Sequence, residues 1–600
     1  MLTGGRKPRK SVDFCPPITQ GASVAVCEEG VVVLPRPLVE ARRGAVALSL
    51  AAAAVLAVRL DVPAFFDNEA RYAEVAREMA LNGDWISPHL DFTLFLNKPP
   101  LVFWLAALVF RVAGPTEWAR LVSVGAAVVA LLATCRLGAL LYGGTAGLVA
   151  GLALATSLGF VLEARTLRPD MILTATVVVA LLCWQRAERE RTRRTRWLLG
   201  LYAALGVGVL AKGLVPIVLA GLPIAAVTLR DHGWRGIPRL RPGLGLLVLA
   251  AIVAPWHLAV ALRHPGFAWD YLVNQHVLFF FARKLPRDSE GDSLVFFWGA
   301  AAGRAVPWVL LVPLTLAEAV RGAVARAAAA ARATFLLWVW GGGLLLFFSC
   351  TPSRLEHYAI PALPAAALLA ARAWQRAQAG EGERAAWVYL TAAGALVAGV
   401  GVAGLGGGRA VLARTYWLVQ APGLLALVAP AAAVVAGAGV LIALAALWRR
   451  PDWLVATLAA SMVPFAAIVL HAEARAEALF SWRPLARALV AAVPPVVEVV
   501  FESPEEYQQV GGLAYYTERR IALLEPPGFV PPTYLAGHMR EMFLARAPFE
   551  RRWRAGERLA LVSDPQRRRD EPAGLVPAPF HVLGHFGDRW LLTSFPAHAG

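Results

Sequence analysis

Residues 244–262, 294–316, 386–405 and 421–447 are apolar windows, each long enough to cross a hydrocarbon core of ~30 Å as a helix. Inside such a core every backbone N–H and C=O must be paired within the protein, which leaves only helices or a closed barrel. Barrel-type alternation of polar and apolar residues is absent, so the spans are expected to be helical. Composition agrees: with 58% hydrophobic and 16% charged residues, 600 residues long and with a mean hydropathy of +0.56, the chain lacks the charge to cover a soluble surface. The expected fold class is a polytopic α-helical membrane protein.

The net charge of +17 belongs to this picture and not to nucleic-acid binding. Basic clusters such as 186–196 and "RDHGWRGIPRLR" (230–241) sit in short loops between apolar runs, as the positive-inside rule demands. Of the five cysteines, Cys135, Cys183 and Cys350 lie in or beside apolar runs and Cys15 and Cys27 near the N-terminus; no spacing suggests zinc or a disulfide framework. Residues 1–44 read as a disordered cytoplasmic tail, with no cleavage-site pattern.

Parity then threads the chain. "RKPRK" and "ARR" precede the first span, 45–60, which runs outward; the Arg-rich loop 186–196 is inside, so an even number of crossings separates their outer ends. Spans 119–140 and 145–162 supply that pair, and 99–113, shorter and opening with Pro-Pro, reads as a helix at the outer interface. Later spans fall near 171–186, 196–211, 214–229, 244–262, 294–316, 334–350, 359–374, 386–405, 421–447 and 453–471, about thirteen in all, which puts the C-terminus outside. The transmembrane domain is thus expected over 45–480, with a large first outer loop at 61–118. Residues 481–600 read as a small outer α/β domain, with strands near 496–502, 513–525, 557–564 and 580–595 and a helix over 535–554.

Four outward segments hold the unusual polar residues. The first loop supplies Asp67, Glu69, Arg71, Tyr72, Glu74 and Lys98, and the second supplies Arg165, Arg168 and Asp170. The third carries His276, Arg283 and Lys284, and the fourth Arg354, His357 and Tyr358. Each has an ordinary structural explanation. Residues 69–79 suit an amphipathic helix with Glu74 and Glu78 on a solvated face; Asp67 and Asp170 suit helix N-caps; Lys98 could snorkel; a lone His276 could simply pack. Together, at one water–hydrocarbon boundary, they point to a shared site, because charge beside an apolar wall is costly unless paired or used.

At these residues the chain resembles a known family. "EARYAEVAREM" (69–79) with "NGDWISPHL" (82–90), followed by "KPPLVFWL" (98–105), looks like the first outer loop of the lipid A aminoarabinose transferases. These belong with the protein O-mannosyltransferases to the GT-C superfamily. "RLVSVGAAVVALLA" (120–133), "EARTLRPDMIL" (163–173) and "SRLEHYAIPALPAAALL" (353–369) follow in the family's order. The resemblance covers roughly 45–375 and implies a GT-C-type membrane glycosyltransferase of the bacterial cytoplasmic (inner) membrane. Its active site and C-terminal domain would lie on the periplasmic side, and it would transfer a sugar, with inversion, from a polyprenyl-phosphate donor such as undecaprenyl phosphate. By the same resemblance Asp67 or Glu69 would take the acceptor's proton, with Asp170 orienting the acceptor or helping to bind a divalent cation if one is used. Lys98, Arg165, Arg283, Arg354 and Tyr358 would hold the donor phosphate, with Arg71, Tyr72 and His357 nearby. His276 would be the metal ligand if a divalent cation is the cofactor. The chain departs from the family at Asn68, which separates Asp67 from Glu69, at Asn97, where Glu is usual, at Arg354, where Lys is common, and at Phe279, where Arg is frequent. Lipid A, a protein hydroxyl or an envelope glycan would each serve as acceptor, and the protein is expected to act as a monomer without nucleic acid. The rival reading is a secondary transporter, for which Lys212 and Arg304, within apolar segments, would line the path. A non-catalytic assembly module resting on the C-terminal domain is a third.

Overall fold

A computed structural model describes residues 25–26, 32–33, 36–285, 291–324, 328–415, 418, 421–502, 507–525, 534–535, 543–564, 571–572 and 574–596. Most of the expected N-terminal tail lies outside those residues. Within it, β1 (Ala25–Val26) and β2 (Val32–Val33) pair antiparallel. The first helix, α1 (Arg36–Ala57), begins before residue 44, taking in the basic residues that flank its apolar run.

Each of the thirteen expected spans has a helical counterpart. Among the described residues, eight helices are long and apolar enough to cross a membrane, or ten if each bent pair counts as one span. The helices α1, α8 (Arg194–Lys212) and Leu363–Gln378 fall outside that set, the first two carrying clustered charge and the third being only 16 residues long. The third expected span is bent by 66° between α5 (Gly144–Ala155) and α6 (Leu158–Ala164). The segment near 294–316 bends by 103° after Leu294–Arg304. Segment 99–113 forms the 13-residue α3 (Leu101–Ala113), the short apolar helix its length implied. Small residues let the bundle close up: a Cβ added at Gly147 of α5 would lie 2.4 Å from the carbonyl oxygen of Cys135 in α4 (Leu121–Tyr142).

Between α1 and α4 the first loop folds into α2 (Asp67–Asn82), a short β3–β4 hairpin (His89–Leu90, Thr93–Leu94) and α3. Over it sits the C-terminal region, whose six-stranded sheet has the order β7-β6-β5-β8-β10-β9. Here β5 (Glu498–Glu502) pairs in parallel with β6 (Ala522–Leu524) and β8 (Leu559–Val562), and β6 with β7 (Phe543–Leu544). The hairpin β9 (His581–Phe586) and β10 (Arg589–Thr593) adds antiparallel, with β10 against β8. All four residues of β8 are buried, the mark of a strand covered on both faces.

Two expectations fail here. Residues 513–525 are not one strand: Val510–Thr517 is helical and only Ala522–Leu524 is extended. The β-prone tyrosines at 515 and 516 are overridden by packing, since this helix presses directly on α2. A Cβ added at Gly511 would come within 2.8 Å of the Arg71 Cα. Of the helix expected over 535–554, Phe543–Leu544 is strand and Arg546–Arg554 is helix, while 536–542 lie outside the described residues.

The first loop and the C-terminal region share one hydrophobic core, in which Phe65, Tyr72, Phe95 and Phe103 meet Trp482, Phe501, Leu513 and Tyr515. The two units are therefore cemented together. Helix α7 (Asp170–Arg189) starts beside this loop and, at ~1.5 Å per residue, ends about 30 Å away among the arginine-rich loops. In a background without native cysteines, Leu81→Cys in the first loop should react with a membrane-impermeant maleimide in intact cells. Trp234→Cys, in the 230–241 loop, should react only after permeabilisation. Both positions are exposed.

Candidate active site

The turn into α2 organises the first loop. Phe66 is the N-cap, and its N–H donates to Glu69 Oε2 at 3.4 Å. Asp67 is therefore the first helical residue and not the cap; its side chain lies outside the described residues. Glu69 is buried and fully engaged. It accepts from Arg120 Nε at 2.8 Å, from Arg120 Nη2 at 2.7 Å and from the Leu167 N–H at 2.8 Å. Arg120 in turn donates to the carbonyls of Leu60 and Pro63 at 3.0 and 2.6 Å. One ion pair thus ties the first loop to the start of α4 and to the second loop.

The solvated face expected for Glu74 and Glu78 does not exist: both are buried under the C-terminal region. Glu74 forms a two-point pair with Arg77, both bonds 2.7 Å, and Glu78 accepts from the Phe92 N–H at 2.9 Å. Burial, reinforced by the charge of Glu74, pushes the Glu78 carboxyl up to about 9. At neutral pH it is protonated and can donate to Glu74.

Beside this loop lies a cleft of ≈250 Å³ lined by all four outward segments. Arg71, Tyr72 and Lys98 come from the first, Arg168 and Asp170 from the second, Lys284 from the third, and His357 and Tyr358 from the fourth. The N-terminus of α7 brings in Asp170, which is buried and ion-paired with Lys212 at the end of α8. The Lys212 ammonium stands 4.8 Å from the centre of the Tyr358 ring. Arg168 bonds Glu163 at 2.7 Å. Burial, then the neighbouring Arg168 charge, holds the His357 imidazole well below its ordinary range, so it is neutral. Asn68 and Arg168 also line a second cavity of ≈330 Å³, which adjoins the cleft.

Several sequence-selected residues stand elsewhere. Arg165 donates to the carbonyls of Leu56, Val58 and Arg59, at 2.5, 2.8 and 3.0 Å, closing the end of α1; it lines the second cavity, not the cleft. Arg283 is exposed and its neighbour Lys284 enters the cleft instead. Arg354 bonds the carbonyls of Asp292 and Ser349, at 2.8 and 3.3 Å, and fastens its loop. Both ring nitrogens of His276 are taken: Nδ1 donates to the Tyr271 carbonyl at 2.6 Å and Nε2 accepts from the Leu214 N–H at 3.2 Å. His276 thereby braces the break at Gly213, whose φ of +72° and whose contact with His276 leave no room for a side chain. With Asn97 bonded to the Tyr534 hydroxyl at 2.6 Å, this donor set does not fit a divalent cation. Among the described residues no group of three or more His, Cys, Asp or Glu side chains is arranged to hold a metal.

The cleft also holds residues that the sequence reading had not assigned to the site. Lys212, set aside as a transporter feature, lines the cleft and pairs with Asp170, while Arg304, set aside with it, lines the adjoining cavity and pairs with the cleft residue Glu356. For Lys212 the signal was available, since it directly follows the expected span 196–211; Arg304, inside the expected span 294–316, gave none. Gln508 had no signal. It reaches in from the C-terminal region and accepts from Arg71 Nη1 at 2.6 Å.

The architecture has close counterparts. ArnT from Cupriavidus metallidurans, solved bound to undecaprenyl phosphate, superposes with a TM-score of 0.73 over 92% of this chain and 98% of its own, at 22% identity. The chain has the ArnT fold. The resemblance read from its outer loops is borne out in the whole architecture, C-terminal region included. An archaeal oligosaccharyltransferase, AglB from Archaeoglobus fulgidus, aligns more loosely, with a TM-score of 0.51 over 87% of this chain and 69% of its own, at 13% identity. Residues 97–258 match the family described as dolichyl-phosphate-mannose-protein mannosyltransferase. In sequence, the undecaprenyl phosphate-alpha-4-amino-4-deoxy-L-arabinose arabinosyl transferases of Pectobacterium carotovorum and Yersinia enterocolitica are 32% and 28% identical, each over 51% of this chain and 54% of the relative. The chain thus aligns with about half the length of these relatives.

Glu69→Gln should act on stability, because it leaves Arg120 buried without its counter-charge. A loss of about 3–5 kcal/mol is expected, read as a fall in the melting temperature of the purified protein. Glu78 sets a pH dependence. Its folded value lies above the unfolded one, so the folded state binds the extra proton and stability falls as pH rises from about 4.5 towards 9. Glu78→Gln, which mimics the protonated carboxyl, should match wild type near pH 5 and melt higher than wild type at pH 9.

Proposed function

We propose that this chain is a membrane glycosyltransferase that moves a sugar from a polyprenyl-phosphate-linked donor to an oxygen nucleophile on a lipid, protein or envelope glycan. The observation that carries this reading is the convergence of Lys98, Lys284, Arg71 and Arg168 with the Asp170–Lys212 pair in one cleft at the end of the helix bundle. The names of the sequence relatives support undecaprenyl phosphate as the carrier. The positive-inside pattern supports a periplasmic position for the cleft and the C-terminal region, at a bacterial cytoplasmic membrane.

A sugar on a lipid phosphate already carries a good leaving group, so the protein's work is electrostatic. Lys98 and Lys284, with Arg71 and the Tyr358 hydroxyl, hold the phosphate as negative charge grows on the departing oxygen. The bond from the anomeric carbon to that oxygen breaks while the acceptor oxygen bonds the opposite face, which inverts the centre, by the geometry that governs inverting glycosidases. The acceptor's proton goes to a carboxylate. Glu69 is committed to Arg120, so Asp67 takes this role, and Asp170, fixed by Lys212, orients the acceptor. Gln508 keeps the Arg71 fork turned into the cleft. No step is routed through a metal ion, because His276 and Asn97 are otherwise bonded.

Sugar transfer from a radiolabelled polyprenyl-phosphate donor tests this. Asp67→Asn, Asp170→Asn and Lys98→Ala should each lose about 100-fold or more in rate, whereas Arg283→Ala, whose side chain is outside the cleft, should stay near wild type. Full rates in the first three variants would sink the assignment.

A further inference from the structure

The opposite end of the bundle carries a cavity of ≈720 Å³ that sugar transfer does not use. Five chain segments line it: the end of α4, the last turns of α7, the end of α9 (Val215–His232) with Arg239 beyond it, the end of the helix Leu316–Val324, and the start of the helix Ala329–Ser349. They bring Arg189, Arg230, Arg239 and Arg332 to one wall, with Leu141 and Ala333 giving it an apolar side.

The carboxylates nearby are already committed. Asp231 accepts from Arg230 Nη1 at 2.8 Å and is also paired with Arg332. Glu188 is bonded by Arg194 at 2.7 Å, and Glu190 by Arg186 at 2.7 Å and by Trp197 Nε1 at 2.9 Å. That leaves two guanidinium groups over. Arg189 makes no hydrogen bond or ion pair with any described residue. The Arg239 side chain bonds His232 Nε2 at 3.0 Å and pairs with no carboxylate among the described residues. Basic loops that served only to orient the chain would have no cause to converge on one concave wall.

We propose that this cavity is a binding site for a phosphate group, carried by a membrane phospholipid headgroup or by a soluble phosphate, and held by Arg189 and Arg239. A guanidinium fork meets two phosphate oxygens at once, and two forks without counter-ions are matched by one multivalent oxyanion. The apolar side of the wall suits the glycerol and upper acyl region of a lipid. The site stands about 30 Å, the length of α7, from the cleft, so it is independent of the proposed transfer reaction.

The test is calorimetric titration of the purified full chain in non-ionic detergent and phosphate-free buffer. The probes are dihexanoyl-phosphatidylglycerol and, separately, inorganic phosphate, with chloride at matched ionic strength as the blank. Saturable binding of at least one probe is expected, weakened about tenfold or more in Arg189→Gln/Arg239→Gln and unchanged in Arg235→Gln, an exposed arginine outside the cavity lining. Binding of the lipid alone identifies a headgroup site; equal binding of inorganic phosphate identifies a soluble ligand. Arg189→Lys, which keeps the charge but loses the fork, should bind severalfold more weakly and serves if the double variant does not fold. Failure of both probes to saturate, wild-type binding by both the double variant and Arg189→Lys, or an equal loss in Arg235→Gln would overturn the proposal.

Discussion

The buried pair of Glu69 and Arg120 is the interaction on which the cleft end depends. Two carboxylate oxygens take two guanidinium bonds and two backbone N–H groups, so neither charge is left unsatisfied away from water. Through those bonds three pieces of chain far apart in sequence are held in register: the turn into α2, the start of α4 and the residue three before Asp170. Remove the pair and the first and second loops lose their common anchor. The same bonds occupy both Glu69 carboxylate oxygens.

Charge pairing of this kind recurs around the cleft and sets the state of each group. Asp170 is buried beside Lys212 and Arg168, which keep it ionised. His357, among cations and out of water, stays neutral. Deeper in the loop, burial and the neighbouring Glu74 push the Glu78 carboxyl up, so that it stays protonated. The cations that line the cleft therefore outweigh its ionised acids, which is the balance a lipid phosphate requires.

The C-terminal region is structural support as much as a separate domain. Its helix Val510–Thr517 lies on α2, the Ile521 N–H donates to Asp91 at 2.9 Å, and the Tyr516 hydroxyl accepts from the Phe65 N–H at 2.7 Å. Gln508 then extends that support into the cleft itself. A loop rich in charge can hold a fixed shape at the membrane surface because a second layer covers it and completes its core.

The order of apolar runs and basic loops, taken alone, determined the membrane class, the helical counterparts of the thirteen spans, the short apolar α3 and the grouping of Lys98, Asp170, His357 and Tyr358 that the cleft brings together. Exclusion of charge from hydrocarbon acts along the chain one segment at a time, so a linear sequence carries it. Which charge meets which partner was decided only in three dimensions. Nothing local distinguishes Glu69, spent on Arg120, from a free base, or Arg283, exposed, from Lys284 beside it. The same holds for His276, saturated by the backbone, and for Gln508, brought in from more than four hundred residues away. Those outcomes depend on how loops distant in sequence pack, and burial and competing hydrogen bonds settle them only once the tertiary contacts have formed.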